Sequence, residues 1–173
     1  MAPRVLVTYA SKHGSTQEVA ERTAFSLDQL GVSVDVRPMN QVDAIDGYDG
    51  VVIGSAIYIG RWMKPANEFV ERVLPALAGR RVWLFSSGPL GDQAETDPPG
   101  IAKLATSLKF VDHRLFPGAL RKERLSLVER ALVKGVKAPY GDFRDWTEID
   151  AWAAAIARGL ESSVVPQGTA IEN

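Results

Sequence analysis

The segment Ser11-Lys12-His13-Gly14-Ser15-Thr16 places hydroxyl side chains around one glycine, directly after the apolar run Val5–Tyr9. A turn of this kind offers backbone N–H groups, and a following helix adds the positive end of its dipole. Ser and Thr hydroxyls donate further hydrogen bonds to phosphate oxygens. The segment has neither the Walker spacing nor the G-x-G-x-x-G spacing. We therefore expect a site for a terminal phosphate, with a plain helix N-cap as the alternative.

Two further segments carry residues that suit a flat ring. The segment 55–62 contains Tyr58 and Trp62, and aromatic side chains at a ligand-binding edge stack on heterocycles. The alternative is that either aromatic residue packs within its own domain. The segment 86–92 is rich in Ser, Gly and Pro, and its backbone suits hydrogen bonds to the polar edge of a ring.

Alternating apolar strands and amphipathic helices predict the scaffold that positions these segments. Helices are expected from Thr16, from Pro65 and at the C-terminal end, where Thr147 and Asp150 form a capping-box-like pair. Such alternation predicts a doubly wound parallel sheet, which binds ligands beyond the carboxyl ends of its strands. The five strands are expected near residues 5–9, 32–36, 50–54, 81–85 and 115–120, the last beginning there or a little earlier.

Composition excludes several kinds of site. The chain has no cysteine and only two histidines, His13 and His113, so disulfides, thiolate catalysis and cysteine- or histidine-rich metal centres are excluded. A net charge of −1 gives no overall attraction to nucleic acid. Without a secretion signal or a membrane-spanning apolar run, we expect a cytoplasmic protein, with a peripheral position at the inner face of the membrane left open.

Together the three segments resemble the flavodoxin-like FMN-binding family over nearly the whole chain. Residues 11–16 match its phosphate loop, S/T-x-S/T-G-x-T, except that His13 replaces the middle hydroxyl. The resemblance implies an α/β three-layer sandwich with helices on both faces of a five-stranded parallel sheet in the order 2-1-3-4-5. It implies FMN as the cofactor, with Tyr58 or Trp62 stacked on the flavin. The implied FMN contacts are Ser11, Lys12, His13, Gly14, Ser15 and Thr16 at the phosphate, and Ser55, Ala56, Ile57, Tyr58, Ile59, Gly60, Ser87, Gly88, Pro89, Leu90, Gly91 and Asp92 at the ring.

Within that family the chain is similar to the menaquinone-dependent protoporphyrinogen IX dehydrogenases. Val51–Gly60 looks like their V-V-I-G-A-S-I-x-x-G segment, and Phe116–Leu120 and Gly141–Trp152 resemble two others. The resemblance implies an FMN-dependent dehydrogenase of heme biosynthesis, whose partners are a small-molecule donor and a quinone. A flavodoxin-type electron carrier and a degenerate domain without FMN are the alternatives. A homodimer is left open, and no catalytic residue is assigned.

The same resemblance implies an insertion before the last helix, at Arg121–Tyr140. It contains six basic and two acidic residues, and Leu125, Val128, Leu132 and Val136 fall roughly on one helical face. A basic amphipathic helix rests on an anionic membrane or binds an acidic ligand. The alternative is a surface helix with its apolar face on the sheet. We expect one domain over 1–161, followed by a flexible tail at 162–173, and leave open a peripheral membrane contact through 121–137.

Overall fold

A parallel sheet in the order β2-β1-β3-β5-β6 forms the centre of the molecule, which confirms the predicted fold class. The computed structural model describes residues 2–58, 60–88, 101, 104, 106–135 and 137–162, and of Tyr58 only the backbone. A two-residue strand, β4, pairs antiparallel with β3. The strands of this sheet are β1 (Arg4–Ala10), β2 (Ser33–Pro38), β3 (Gly50–Tyr58), β4 (Arg61–Trp62), β5 (Arg81–Ser87) and β6 (Asp112–Phe116).

Helices cover both faces of the sheet, because successive side chains of a buried strand point to opposite sides. Val5, Val7 and Val52 pack on one face against the first and last helices. Leu6, Val51 and the second helix form the core on the other face. The described helices are α1 (Ser15–Gln29), α2 (Lys64–Leu77), α3 (Leu127–Gly135) and α4 (Trp146–Glu161).

The fifth parallel strand runs earlier than its apolar residues suggested. It ends at Phe116, whereas the sequence predicted an end near Leu120. Residues 119–120 form a separate strand, β7 (Ala119–Leu120), which pairs antiparallel with β8 (Gly141–Asp142). The strand begins with Asp112-His113-Arg114 because it lies at the sheet edge, where polar side chains are tolerated.

The cap of α4 also differs from the predicted Thr147–Asp150 pair. The N-cap is Asp145, whose carboxylate accepts hydrogen bonds from the backbone N–H groups of Thr147 (2.9 Å) and Glu148 (3.1 Å). Asp150 instead pairs with Arg22 of α1 at 2.6 Å. The prediction was wrong because an aspartate one position before the helix satisfies the free N–H groups equally well.

Gly54 lies against the ring of Phe85, and this contact gives a stability prediction. An added Cβ would lie 2.0 Å from the Phe85 ring, which is fully buried and packs against Trp152 with ring centroids 5.9 Å apart. Gly54→Ala is therefore expected to lower the free energy of unfolding by about 2 kcal/mol through overpacking. Urea unfolding measures this. Gly135→Ala is the control, because a Cβ there meets nothing within 4 Å; equal stabilities of the two variants would contradict the prediction.

None of the helices in the described part of the chain is long and apolar enough to cross a bilayer.

Candidate cofactor site

The predicted site segments follow the carboxyl ends of three neighbouring strands. Residues 11–16 follow β1, residues 59–60 follow β3, and residues 88–92 follow β5. Since these strands are adjacent and parallel, their carboxyl ends meet at one edge of the sheet, where such sheets bind ligands. Ile59, Pro89, Leu90, Gly91 and Asp92 lie outside the described residues.

The first segment forms a tight turn that leads into α1. Gly14 is the N-cap of the helix, with a left-handed φ of 86°. The Ser11 hydroxyl oxygen accepts a hydrogen bond from the Gly14 N–H at 3.1 Å and so fixes the turn. Thr16, in the first turn of α1, is 1% exposed. Amide groups, hydroxyls and the positive helix end therefore lie together, and this combination fits a phosphate.

Ser15 joins the same turn to the ribbon of β7 and β8. Its Oγ accepts a hydrogen bond from the Ala119 N–H at 3.0 Å. A hydroxyl that accepts one bond still has its own proton to donate. Ser15 is thus available as a donor in place of the hydroxyl that His13 replaces.

Cationic and anionic side chains from the insertion lie directly on this turn. Glu129 of α3 lies 2.6 Å from Lys12 Nζ and 3.1 Å from His13 Nε2. Hydrogen bonding from Lys12, and then from Ser126, lowers the pKa of Glu129 to about 2. Arg124 donates from Nη1 to the His13 carbonyl oxygen at 2.9 Å. Sequence reasoning missed these contacts, because no local spacing signals a pairing between segments so far apart.

A charge cluster fixes the insertion to the first turn of α1. Arg121 makes two hydrogen bonds to the Glu18 carboxylate, at 2.8 and 3.0 Å. The buried Arg144 reaches Glu18 at 2.8 Å and also binds Asp142 of β8. Burial alone raises the pKa of Glu18, but hydrogen bonds from the two arginines outweigh it and lower the pKa. The described residues of the segment 121–144 are therefore anchored beside the turn 11–16, the predicted phosphate turn.

The second predicted segment is a β-hairpin rather than an open loop. β3 continues to Tyr58 and pairs back with Arg61–Trp62 across a turn at Gly60, where φ is 69°. Ser55 is buried, and its Oγ accepts from the Met63 N–H at 3.0 Å and donates to the Ala56 carbonyl at 2.9 Å. These bonds hold the base of the hairpin at the sheet edge.

Trp62 packs in the core, as the alternative interpretation held. It is 4% exposed, and its indole N–H donates to Ser86 Oγ at 2.7 Å. Ser86 Oγ also lies 2.9 Å from His113 Nε2. Trp62 therefore anchors the hairpin to β5 and β6, and of the two aromatic candidates only Tyr58 stays a prediction for flavin stacking.

The third segment begins beside β6. Ser87 is 4% exposed at the end of β5. Gly88 adopts a φ of 86° and donates its N–H to the Phe116 carbonyl at 3.0 Å. The chain thus leaves the sheet in a fixed direction at the edge where the other two segments lie.

A cavity of about 270 Å³ lies elsewhere, at the amino ends of β5 and β6. Its lining includes Leu77, Val82 and Phe110. We do not assign the cofactor to it, because doubly wound sheets bind ligands at the opposite edge and the phosphate turn lies at that edge.

A doubly wound sheet with a hydroxyl-rich phosphate turn after its first strand defines a flavodoxin-like protein. A family model described as flavodoxin domain matches residues 6–146. Protoporphyrinogen IX dehydrogenase (quinone) of Escherichia coli K12 is 24% identical, over 89% of this chain and 94% of that protein. A flavodoxin from the domain Archaea has a TM-score of 0.63 at 16% identity, over 92% of this chain and 99% of that one. Oxidised Flavodoxin 2 from Bacillus cereus also has a TM-score of 0.63, at 22% identity, over 90% of this chain and 99% of that one.

The chain belongs to the flavodoxin domain family. FMN is its cofactor and redox chemistry is its function, as the family match supports.

Proposed function

We propose that the chain is an FMN-dependent dehydrogenase that oxidises protoporphyrinogen IX and reduces a quinone. The observation that carries the proposal is the basic insertion anchored beside the phosphate turn through Arg121 and Arg144. Arg121 and Arg144 are themselves paired with Glu18 and Asp142. The exposed Lys134 and Lys137 of the insertion are suited to bind carboxylates, and protoporphyrinogen is a dicarboxylate. The match to the Escherichia coli dehydrogenase over 89% of the chain supports the same substrate.

FMN, when bound, accepts a hydride equivalent from a donor and releases electrons to an acceptor. The turn 11–16 binds its phosphate, and the segments 55–60 and 87–92 orient its ring. Each oxidation step removes two electrons and two protons from the porphyrinogen and converts one quinone to a quinol. Full conversion to protoporphyrin therefore reduces three quinones. The role of the chain is to bind and orient the reactants, and we assign no acid or base to it.

Helix α3 supports a peripheral contact with an anionic membrane, where quinones dissolve. Its apolar side chains Leu127, Val128 and Leu132 are 80%, 71% and 59% exposed. Lys134 and Arg130 lie on the same short helix. An exposed apolar face flanked by cations is typical of interfacial helices. The exposure of these three side chains supports the membrane contact over the alternative of a helix packed on the sheet.

An anaerobic assay tests the proposal. The full-length chain loaded with FMN receives protoporphyrinogen IX and a soluble naphthoquinone, and porphyrin fluorescence and quinol formation are followed together. We expect porphyrin only when protein and quinone are both present, with three quinols for each porphyrin. Free FMN at the same concentration is the control. Supplying the quinone in anionic or zwitterionic vesicles tests the membrane contact, which predicts a faster reaction with the anionic ones.

A flavodoxin-type electron carrier is the alternative, and the same assay separates the two. A carrier exchanges electrons with a reductase protein but forms no porphyrin above the free-FMN control. The net charge of −1 favours the dehydrogenase, because carriers dock on basic partners through acidic surfaces. Porphyrin at the level of free FMN overturns the proposed substrate.

A further inference from the structure

We propose that the insertion tunes the phosphate site, with Arg124 as a phosphate-binding residue and Glu129 as an opposing charge. The pair then sets the preference of this chain for FMN over riboflavin, which has no phosphate. The inference rests on the FMN site described above and does not depend on the porphyrinogen substrate.

Arg124 lies against the turn at its glycine and at the His13 carbonyl. Its Nη1 lies only 2.0 Å from where a Cβ on Gly14 would stand, so the guanidinium lies directly on the glycine of the turn. That nitrogen donates to the His13 carbonyl, and Nη2 lies 3.4 Å from Glu18 Oε1. The guanidinium has five N–H donors in all, and these two contacts leave others for phosphate oxygens.

The sequence of the turn gives a reason for such a residue. His13 stands where the family pattern has a hydroxyl, and the donor available in its place, the Ser15 hydroxyl, is neutral. A charged guanidinium binds phosphate more strongly than a hydroxyl and in two-pronged geometry. Arg124 therefore adds a charged donor to the neutral hydroxyls of the turn, and it belongs to the insertion.

Glu129 acts in the opposite sense. Its carboxylate lies 2.6 Å from Lys12 Nζ, and its side chain is only 13% exposed. An FMN phosphate in this turn would lie near a second anion and would compete with it for Lys12.

The test compares FMN with riboflavin, because only FMN carries the phosphate. Full-length protein freed of flavin is titrated with each ligand, and binding is followed by the quenching of flavin fluorescence. We expect Arg124→Gln to weaken FMN binding about tenfold and to leave riboflavin binding within about twofold. Glu129→Gln is expected to tighten FMN binding about threefold, since it removes a like charge and the ion pair between Glu129 and Lys12. Arg124→Lys should keep part of the FMN affinity.

Lys122→Gln is the matched control, because it removes the same charge from the same exposed turn two residues away. It should leave the ratio of the two dissociation constants unchanged. A merely structural role for Arg124 or Glu129 would shift both ligands by the same factor, and that result overturns the inference. A loss of FMN affinity in Glu129→Gln also overturns it. Porphyrinogen is absent from this experiment, so its outcome is separate from that of the dehydrogenase assay.

Discussion

Arg144→Ala is expected to lower the free energy of unfolding by about 3 kcal/mol. The Arg144 side chain has no solvent exposure, and it joins Glu18 of α1 to Asp142 of β8. Its guanidinium also stacks on the Trp146 ring, 4.4 Å from the centroid. Removing it takes from Glu18 and Asp142 their buried partner, leaves them only the more exposed Arg121 in common, and opens a cavity. This loss is at the low end of the range for breaking a buried ion pair, because both carboxylates keep some solvent contact.

Arg114→Ala is the matched control for that loss. The Arg114 side chain is 51% exposed and pairs with Asp112 at 2.9 Å, and exposed pairs contribute little. We expect its stability to stay within about 0.5 kcal/mol of the parent protein. Urea unfolding followed by circular dichroism measures both variants. Equal stabilities of Arg144→Ala and Arg114→Ala would show that the buried Arg144 contributes no more to the free energy of unfolding than the exposed Arg114.

The pH dependence supplies a second readout for Arg144. Its hydrogen bond to Asp142 lowers the pKa of that carboxyl to about 2, below the value of 3.8 for a free side chain. A carboxyl whose pKa is lower in the folded state stabilises the fold at pH values above its pKa in the unfolded state. That contribution is lost as the pH falls toward its pKa in the folded state. The stability difference between parent and Arg144→Ala is therefore expected to be full at pH 6 and to shrink between about pH 4 and pH 2.

The scaffold and the place of the site follow from local patterns. The run Val5–Tyr9 predicted a buried strand because a parallel strand covered on both faces needs continuous apolar residues. The hydroxyl-rich turn after it, and the two segments that follow β3 and β5, then had to meet at one sheet edge. These inferences need only the pattern of neighbouring residues, which is read from the sequence, and general rules for how parallel strands are connected.

The contacts of the insertion could not be predicted in the same way. The spacing of Val128 and Leu132 indicates an amphipathic helix, but it does not say what the apolar face meets. The structure leaves both exposed and buries Leu125, which lies before the helix. The pairing of Lys12 with Glu129 depends on how the chain returns past β7, and no pattern in either segment encodes that path.

The direction of the Trp62 side chain could not be predicted from the sequence either. Trp62 follows a strand at the ligand edge, so its position suggested stacking on a ring. The short antiparallel pairing with β3 turns it inward, where Ser86 accepts its N–H. Two residues are too few to show a strand period, and the direction of a single aromatic side chain is therefore decided by tertiary contacts.

Thr16→Val is expected to weaken FMN binding about fiftyfold, while riboflavin binding changes by less than about threefold. Thr16 lies in the first turn of α1, beside the helix end that favours anions. The residue is 1% exposed, so little water competes with a phosphate for a hydrogen bond to its hydroxyl. Valine keeps the shape of threonine and removes only that hydroxyl. A hydrogen bond to a charged group is stronger than a neutral one, which sets the size of the effect.

Thr23→Val in the same helix separates a binding role from a packing role. Thr23 is fully buried and donates its hydroxyl to the Val19 carbonyl at 2.9 Å, far from the turn. The Thr23→Val substitution makes the same chemical change as Thr16→Val and should leave the dissociation constants of both flavins unaltered. Thr16→Ser, which keeps the hydroxyl, should retain most of the FMN affinity. If Thr16→Val weakened FMN and riboflavin equally, Thr16 would support the fold of the turn without binding the phosphate, and the hydroxyl motif would lose its functional meaning in this chain.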